Sequence, residues 1–372
     1  MSGFTSWSTL ILSAMVGAGQ LGGGLWLPAA AAPPSRVVEP ITHTNLSVFF
    51  LRGTSVPGPV PLTLAEALAK GSVTIDETGN VNQLQVENKG LEDVFIQAGD
   101  IVKGGQQDRV LTVSLLLAAN SGRLPIGAFC VEQGRWSARG KEDVKQFRSA
   151  DKSVPSREAK LAMLAPAKPI PQPSLSAPSG VSQGQPSRNQ LRGLGQSETG
   201  GRQGEVWANV GRIQEKLSSN LKAKVASGLS ASSLQLSLEN ETLAAARADY
   251  IKALSGALGA DPEIVGVVFA INGRIASAEV YPSSGLFVKM WPKLLEAAAT
   301  EAIAEKDGKA VADLPSVTAV AQFLDVADNG KSEPDVALAP GLARRTVDAP
   351  TSLAVATKRS DGLEIHRTYL AK

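Results

Sequence analysis

The stretch that decides the fold is Ile264-Val265-Gly266-Val267-Val268-Phe269-Ala270-Ile271-Asn272-Gly273-Arg274-Ile275-Ala276-Ser277-Ala278-Glu279-Val280. Two apolar runs flank Asn272-Gly273, and the centre of a two-residue hairpin turn needs positive φ, which Asn and Gly tolerate best. The spacing predicts a β-hairpin over 264–280. Downstream, Phe287, Met290, Trp291, Leu294, Leu295 and Ala298 share one side of a helix predicted from about Leu286 to Glu305. Thr351–Thr357 and Leu363–Tyr369, joined around Asp361-Gly362, predict a closing hairpin. Upstream, Val206, Val210, Ile213 and Leu217, then Leu243, Tyr250, Ile251 and Leu254, also fall at helical spacing.

Earlier still the pattern is mostly β. Thr44–Arg52 alternates toward an extended strand, and Thr63-Leu64-Ala65-Glu66 opens a short helix with a capping box that stops at Gly71. Val73–Asp76, Gln83–Glu87, Asp93–Gln97, Arg109–Leu117 and Pro125–Glu132 are short β-rich runs separated by Gly, Asn and Asp turns. Such spacing favours an antiparallel sandwich or roll over a parallel sheet. The class is α+β, with a β-rich first half (33–164) and a second half of helices and hairpins (205–372).

Between Ala165 and Gly204, 25 of 40 residues are Pro, Gly, Ser or Gln and none is aromatic. Too little apolar surface is available there to offset the entropy of ordering, so 165–204 reads as a disordered insert. A milder break, Lys306 to about Ala349, reads as connecting structure. Residues 1–32 carry no charged side chain. Their apolar run, ending in Ala29-Ala30-Ala31-Ala32, has the order of a secretory signal peptide and places the mature protein outside the cytoplasm, secreted or periplasmic. The alternative is an uncleaved membrane anchor, against which Gly17, Gly19, Gly22, Gly23 and Gly24 interrupt the run. Gly17-Ala18-Gly19-Gln20-Leu21-Gly22 matches a dinucleotide fingerprint only in letters, since Gly23, Gly24 and Pro28 follow where a helix should open.

Across 372 residues, 37 Lys and Arg face 35 Asp and Glu, a net charge of +2, which excludes a polybasic nucleic-acid binder. One cysteine, Cys130, excludes an internal disulfide, and with His43 and His366 as the histidines a Cys/His zinc site is excluded too. No cofactor or metal is expected. Ser149–Lys152 and Ser219–Lys222 match S-x-x-K, but no K-T-G follows. Cys130 itself reads as a small buried hydrophobe.

Val86-Glu87-Asn88, Ala98-Gly99-Asp100, Gly104-Gly105-Gln106-Gln107-Asp108-Arg109 and above all Cys130-Val131-Glu132-Gln133-Gly134-Arg135-Trp136 resemble the ARG and rhodanese-phosphatase-superfamily-associated domain. The resemblance continues in Phe269–Arg274, Leu286–Leu295 and the last hairpin. It implies one composite domain from about Ile41 to the C-terminus. The family has no established activity, and its name points toward an ADP-ribose-like or phosphorylated ligand by gene context alone.

Two loops carry the candidate chemistry. Asp100, Lys103, Gly104, Gly105, Gln107 and Arg109 surround a Gly-Gly pair whose amides and cations could hold an anion, or form a plain charged β-turn. Glu132, Arg135 and Trp136 offer an acid, a bidentate cation and a stacking surface from one turn, or a structural ion pair with an aromatic cap. Antiparallel pairing across the Asn120 turn would bring Arg109 beside Glu132. Two function classes follow. The first is an envelope module binding a polar or anionic small molecule, or an envelope protein, through the Gly-Gly loop and the Glu-Gln-Gly-Arg-Trp turn. The second is a metal-independent hydrolase of a glycosidic or phosphate-containing substrate, with Glu132 as general acid/base and Glu87 or Asp100 as second carboxylate. Neither involves nucleic acid, and contact with a membrane is expected only through the N-terminal signal segment.

Overall fold

The computed structural model describes residues 36–135, 137, 139–140, 142–165, 188–308 and 313–372, with the side chains of 36 and 188–200 excluded. The predicted signal segment 1–32, the predicted insert from 166 to 187 and Trp136 lie outside the described residues. The helices are α1 (Leu64–Ala69), α2 (Arg157–Leu164), α3 (Arg188–Leu221), α4 (Leu234–Leu238), α5 (Glu241–Leu254), α6 (Ser284–Ala304) and α7 (Val317–Asp328). Among the described residues, no helix is long and apolar enough to cross a membrane.

The Asn272-Gly273 hairpin forms as predicted, with Asn272 at φ 51° and Gly273 at φ 75°. It sits near the middle of a ten-stranded antiparallel sheet. Its spatial order is Arg36–Val37, Leu46–Arg52, Ile264–Ile271, Arg274–Val280, Glu364–Ala371, Ser352–Arg359, Leu342–Asp348 and Lys331–Ser332. Ile41–His43 adds to Leu46–Arg52, and Val336–Ala339 adds to Leu342–Asp348. Leu46–Arg52, from the first half of the chain, pairs along its length with Ile264–Ile271 from the second. The halves therefore share one sheet, and the α+β class with a composite domain follows from that pairing. Helices α5 and α6 pack on the inner face, where Phe50, Phe269 and Phe287 surround Trp291. Helix α7 covers much of the outer face through Val320, Leu324 and Ala327 against Phe49, Val268 and Tyr369. Burial on both faces explains why Ile264–Ile271 is a continuous apolar run rather than an alternating one.

A second, six-stranded sheet runs in the order Phe147–Ser153, Asp100–Gly104, Arg109–Leu111, Gly122–Cys130, Gln83–Asn88 and Val73–Glu77. A third contains Leu115–Leu117, Val94–Ile96 and Leu62–Thr63, the last two running parallel. The capping box holds as predicted: Thr63 Oγ1 accepts from Glu66 N, and Glu66 accepts from Thr63 N.

Three expectations are corrected. Arg109–Leu117 is not one strand; Arg109–Leu111 and Leu115–Leu117 belong to different sheets, and Ser114 at the corner accepts the Ala98 amide. The region after Lys306 is structured where described, because Val317, Val320, Leu324 and Ala327 give α7 an apolar face. Helix α3 begins at Arg188, inside the stretch read as a disordered insert, and among its described side chains Gln203 and Val206 are buried.

Asn45 fastens the halves together. Its amide donates to Asn272 Oδ1 and Ala302 O, both at 2.9 Å, and its oxygen accepts from Tyr250 Oη at 2.8 Å. Asn45→Ala leaves those buried partners unsatisfied and should lower stability by about 3 kcal/mol, against about 1 kcal/mol for Tyr250→Phe, read as the shift in urea midpoint.

Candidate functional site

Arg109 opens one strand of the six-stranded sheet and Cys130 closes the next. The two residues are paired across the ladder, so Glu132 emerges one turn beyond Arg109, as the spacing predicted. The Gly104–Asp108 loop leads into Arg109 from the preceding strand, Asp100–Gly104. A Cβ on Gly104 would stand 2.8 Å from Gln146 O, and one on Gly105 would stand 2.5 Å from the Phe147 ring, so nothing larger than glycine fits. Four of the loop's amides are committed: Gly104 N donates to Asp108 Oδ1, Gly105 N to the Asp143 and Gln146 carbonyls, Gln106 N to Glu77 and Asp108 N to Glu132. The open anion cradle expected of a Gly-Gly pair is therefore closed by the protein's own acceptors.

Glu132 and Asp108 are fully buried. Arg135 Nε lies 2.8 Å from Glu132 Oε2, and its other nitrogens donate to the carbonyls of Gly104, Gly105 and Ser137. Arg139 grips Asp108 with two bonds of 2.9 and 3.0 Å and reaches Glu132 at 3.5 Å and Glu142 at 3.0 Å. Ser233, the N-cap of α4, donates to Asp108 Oδ2 at 2.8 Å. Arg109, 1% exposed, faces both oxygens of Glu77 at 3.3 Å, and its Nη1 meets Gln107 Oε1 and Cys130 Sγ. Burial pushes the Cys130 thiol up to about 11; Arg109 opposes this, and Glu77 and Glu132 add to it.

Of the predicted site residues, Gly104, Gly105, Gln107, Arg109, Glu132 and Arg135 thus come together in one buried network. Asp100, Lys103 and Glu87 do not join it. Asp100 leaves the far end of its strand and pairs with Lys293 on α6, while Lys103 points the other way, 2.7 Å from Glu239. Glu87 stands on the surface beside Arg123 and Lys89. The carboxylate pair expected for glycoside hydrolysis, Glu132 with Glu87 or Asp100, is not assembled; the carboxylate beside Glu132 is Asp108, whose oxygens are all engaged.

Sequence reasoning missed Glu77, Arg139, Ser233 and Gln203. Gln203 brackets the backbone of Cys130, accepting from its amide at 2.8 Å and donating to its carbonyl at 2.9 Å. Within the network, Gln107 Nε2 and Arg109 Nε are buried donors with no acceptor, Glu142 Oε2 is a buried acceptor with no donor, and Arg135 Nε meets Glu132 as an ion pair only. A hollow of about 530 Å³ lies along α6, lined by Lys289, Lys293, Glu296, Trp291 and Asp151; one of about 230 Å³ lies on the outer sheet face. Neither is lined by the 104–109 loop or the 132–135 turn.

A composite α+β domain built around a buried arginine–carboxylate network is the class these observations define. Within that class, the sequence profile of the ARG and Rhodanese-Phosphatase-superfamily-associated Protein domain matches residues 35–370, and the chain belongs to that family. Neither a comparison with curated proteins nor one with solved structures returned a match.

Two outcomes follow from the burial. Arg139→Ala strands two buried carboxylates and should cost about 3–5 kcal/mol in chemical denaturation, far more than an exposed arginine. Cys130 should resist a thiol reagent such as DTNB at pH 8 in the native protein and react fully in denaturant.

Proposed function

We propose that this chain is an exported envelope protein that binds a small polar ligand through the Gly104–Arg109 loop and the Glu132–Arg135 turn. The observation that carries the reading is the pair of buried donors, Gln107 Nε2 and Arg109 Nε, left without acceptors beside Asp108, whose two oxygens are both engaged. A buried donor without a partner costs about 1–3 kcal/mol, a cost that a ligand carbonyl, ring nitrogen or hydroxyl would relieve. Charge narrows the ligand further. Glu77, Asp108, Glu132 and Glu142 outnumber Arg109, Arg135 and Arg139, so the cluster is one negative charge in excess. That balance favours a neutral polar group over a bare anion. Export is supported by the charge-free, apolar residues 1–32.

One observation favours a second location for the same function. The α6 hollow has the volume of a small-molecule pocket and is walled by Met290, Trp291 and Leu295, with the Lys293–Asp100 pair at its edge. The two locations separate experimentally in calorimetric titrations with ribose, adenosine and ADP-ribose, each followed by chromatography for products. The loop reading expects a neutral polar probe to bind the wild type and Ala65→Trp, which fills the α6 hollow, but not Gln107→Leu, and expects no product. The reverse pattern moves the site to α6. Product formation abolished by Glu132→Gln would replace the binding reading with the hydrolase.

A further inference from the structure

The outer face of the ten-stranded sheet carries a different balance of charge. Register places Arg345 opposite Ala356, and Ala356 opposite Arg367, so an alanine stands between two arginines in one cross-strand row. With strands spaced about 4.8 Å apart, the two arginine backbones are separated by roughly 10 Å. Ala356 and the neighbouring Ala354 form a low floor, Lys358 closes one end and Asp328, at the end of α7, closes the other, around a hollow of about 230 Å³.

The walls of this groove are unequally free. Arg367 is fixed: Nη1 lies 2.5 Å from Asp328 Oδ1 and 3.2 Å from Tyr369 Oη, and Nη2 is held by Glu364. Lys358 shares Glu364 at 3.6 Å. Arg345 is exposed and has no hydrogen bond or ion pair among the described residues. Arg345, Lys358 and Arg367 outnumber Asp328 and Glu364, leaving one uncompensated positive charge over a concave floor. A guanidinium with a free fork, facing a second one already oriented, suits a tetrahedral or planar anion. Asp328 supplies the complement. Burial holds its carboxyl above the usual carboxylate range despite Arg367 and Tyr369, and it can exchange a hydrogen bond with a hydroxyl at that end. The hollow of about 230 Å³ accommodates a phosphoryl group on a short carbon chain.

We propose that the Arg345–Ala356–Arg367 row is a second ligand site, taking a small hydroxylated phosphomonoester. It is separate from the Gly104–Arg109 network and does not depend on it. Isothermal titration with glycerol 3-phosphate, inorganic phosphate and glycerol tests it on the wild type and on Arg345→Ala, Ala356→Leu and Arg148→Ala, the last an arginine 71% exposed in the six-stranded sheet. The expected result is tenfold or greater weakening of glycerol 3-phosphate binding in Arg345→Ala, loss in Ala356→Leu, and unchanged affinity in Arg148→Ala, with phosphate weaker and glycerol silent. Arg345→Glu carries the steric arm's weight if Ala356→Leu does not fold, and should abolish binding. Equal affinity in the wild type and Arg345→Ala, equal loss in Arg148→Ala, or no binding by the wild type overturns the site. Inorganic phosphate binding as tightly as the ester overturns the ester assignment.

Discussion

The carboxylate of Asp108 is the interaction on which this corner of the molecule depends. It takes two bonds from Arg139, one from the Ser233 hydroxyl and one from the Gly104 amide, while the Asp108 backbone donates to Glu132 and accepts from the Val131 amide. Through it the Gly-Gly loop, the turn after Cys130 and the start of α4 are held in one place. A buried ion network of this kind adds little stability over a well-packed apolar core of the same shape, because desolvation offsets most of its Coulomb attraction. Its consequence is directional. Each partner removed strands a charge, so the loop and the turn keep one arrangement or lose it together.

A second polar clamp docks helix α2 on the ten-stranded sheet. Burial alone would push Glu279 up, but Lys160 at 3.3 Å, His366 at 3.0 Å and Thr368 hold it below the usual carboxylate range. Helix α2 is docked there through Lys160 and through the Arg157 amide, which donates to Glu301 at 2.7 Å. Glu301 goes the other way: burial, against that amide and Lys160, pushes its carboxyl up to about 7. Folding favours its protonated form, so its contribution is present at acidic pH and is lost as pH rises through about 7. The same helix end is thus held by one carboxylate that prefers charge and another that resists it.

Local chemistry makes much of this legible in the amino-acid sequence. Asn272-Gly273 needs its positive φ, the Thr63–Glu66 capping box is a four-residue signal, and the α6 apolar face has the helical period over five turns. The Arg109–Cys130 pairing agrees with the residue count on either side of Asn120, although Leu115–Leu117 between them joins another sheet. Long-range pairing is what the sequence hides. Nothing near Arg139 or Ser233 marks them as partners of Asp108, 31 and 125 residues away. Gln203 is masked by its neighbours' composition, because a Pro, Gly, Ser and Gln count averages over the one amide that finishes the edge of a strand. Asp100 and Glu87 fall outside the network for a related reason: each sits at the end of its strand away from the Arg109–Cys130 pair, and the sequence does not mark which end of the sheet a residue occupies.

Charge distributed this way separates two surfaces that a net charge of +2 conceals. Around Asp108 the arginines are outnumbered and spent on the protein's own oxygens. On the outer sheet face they outnumber the acids, and the Arg345 guanidinium has no partner among the described residues. Both arrangements use the same residue type, and burial decides between them: a guanidinium enclosed with carboxylates must be satisfied internally, whereas one at the rim of a small-floored groove can wait for solvent or a ligand at little cost. Alanines at 354 and 356 are what keep that groove open, since any larger side chain between the two arginine rows would fill the space their charges face.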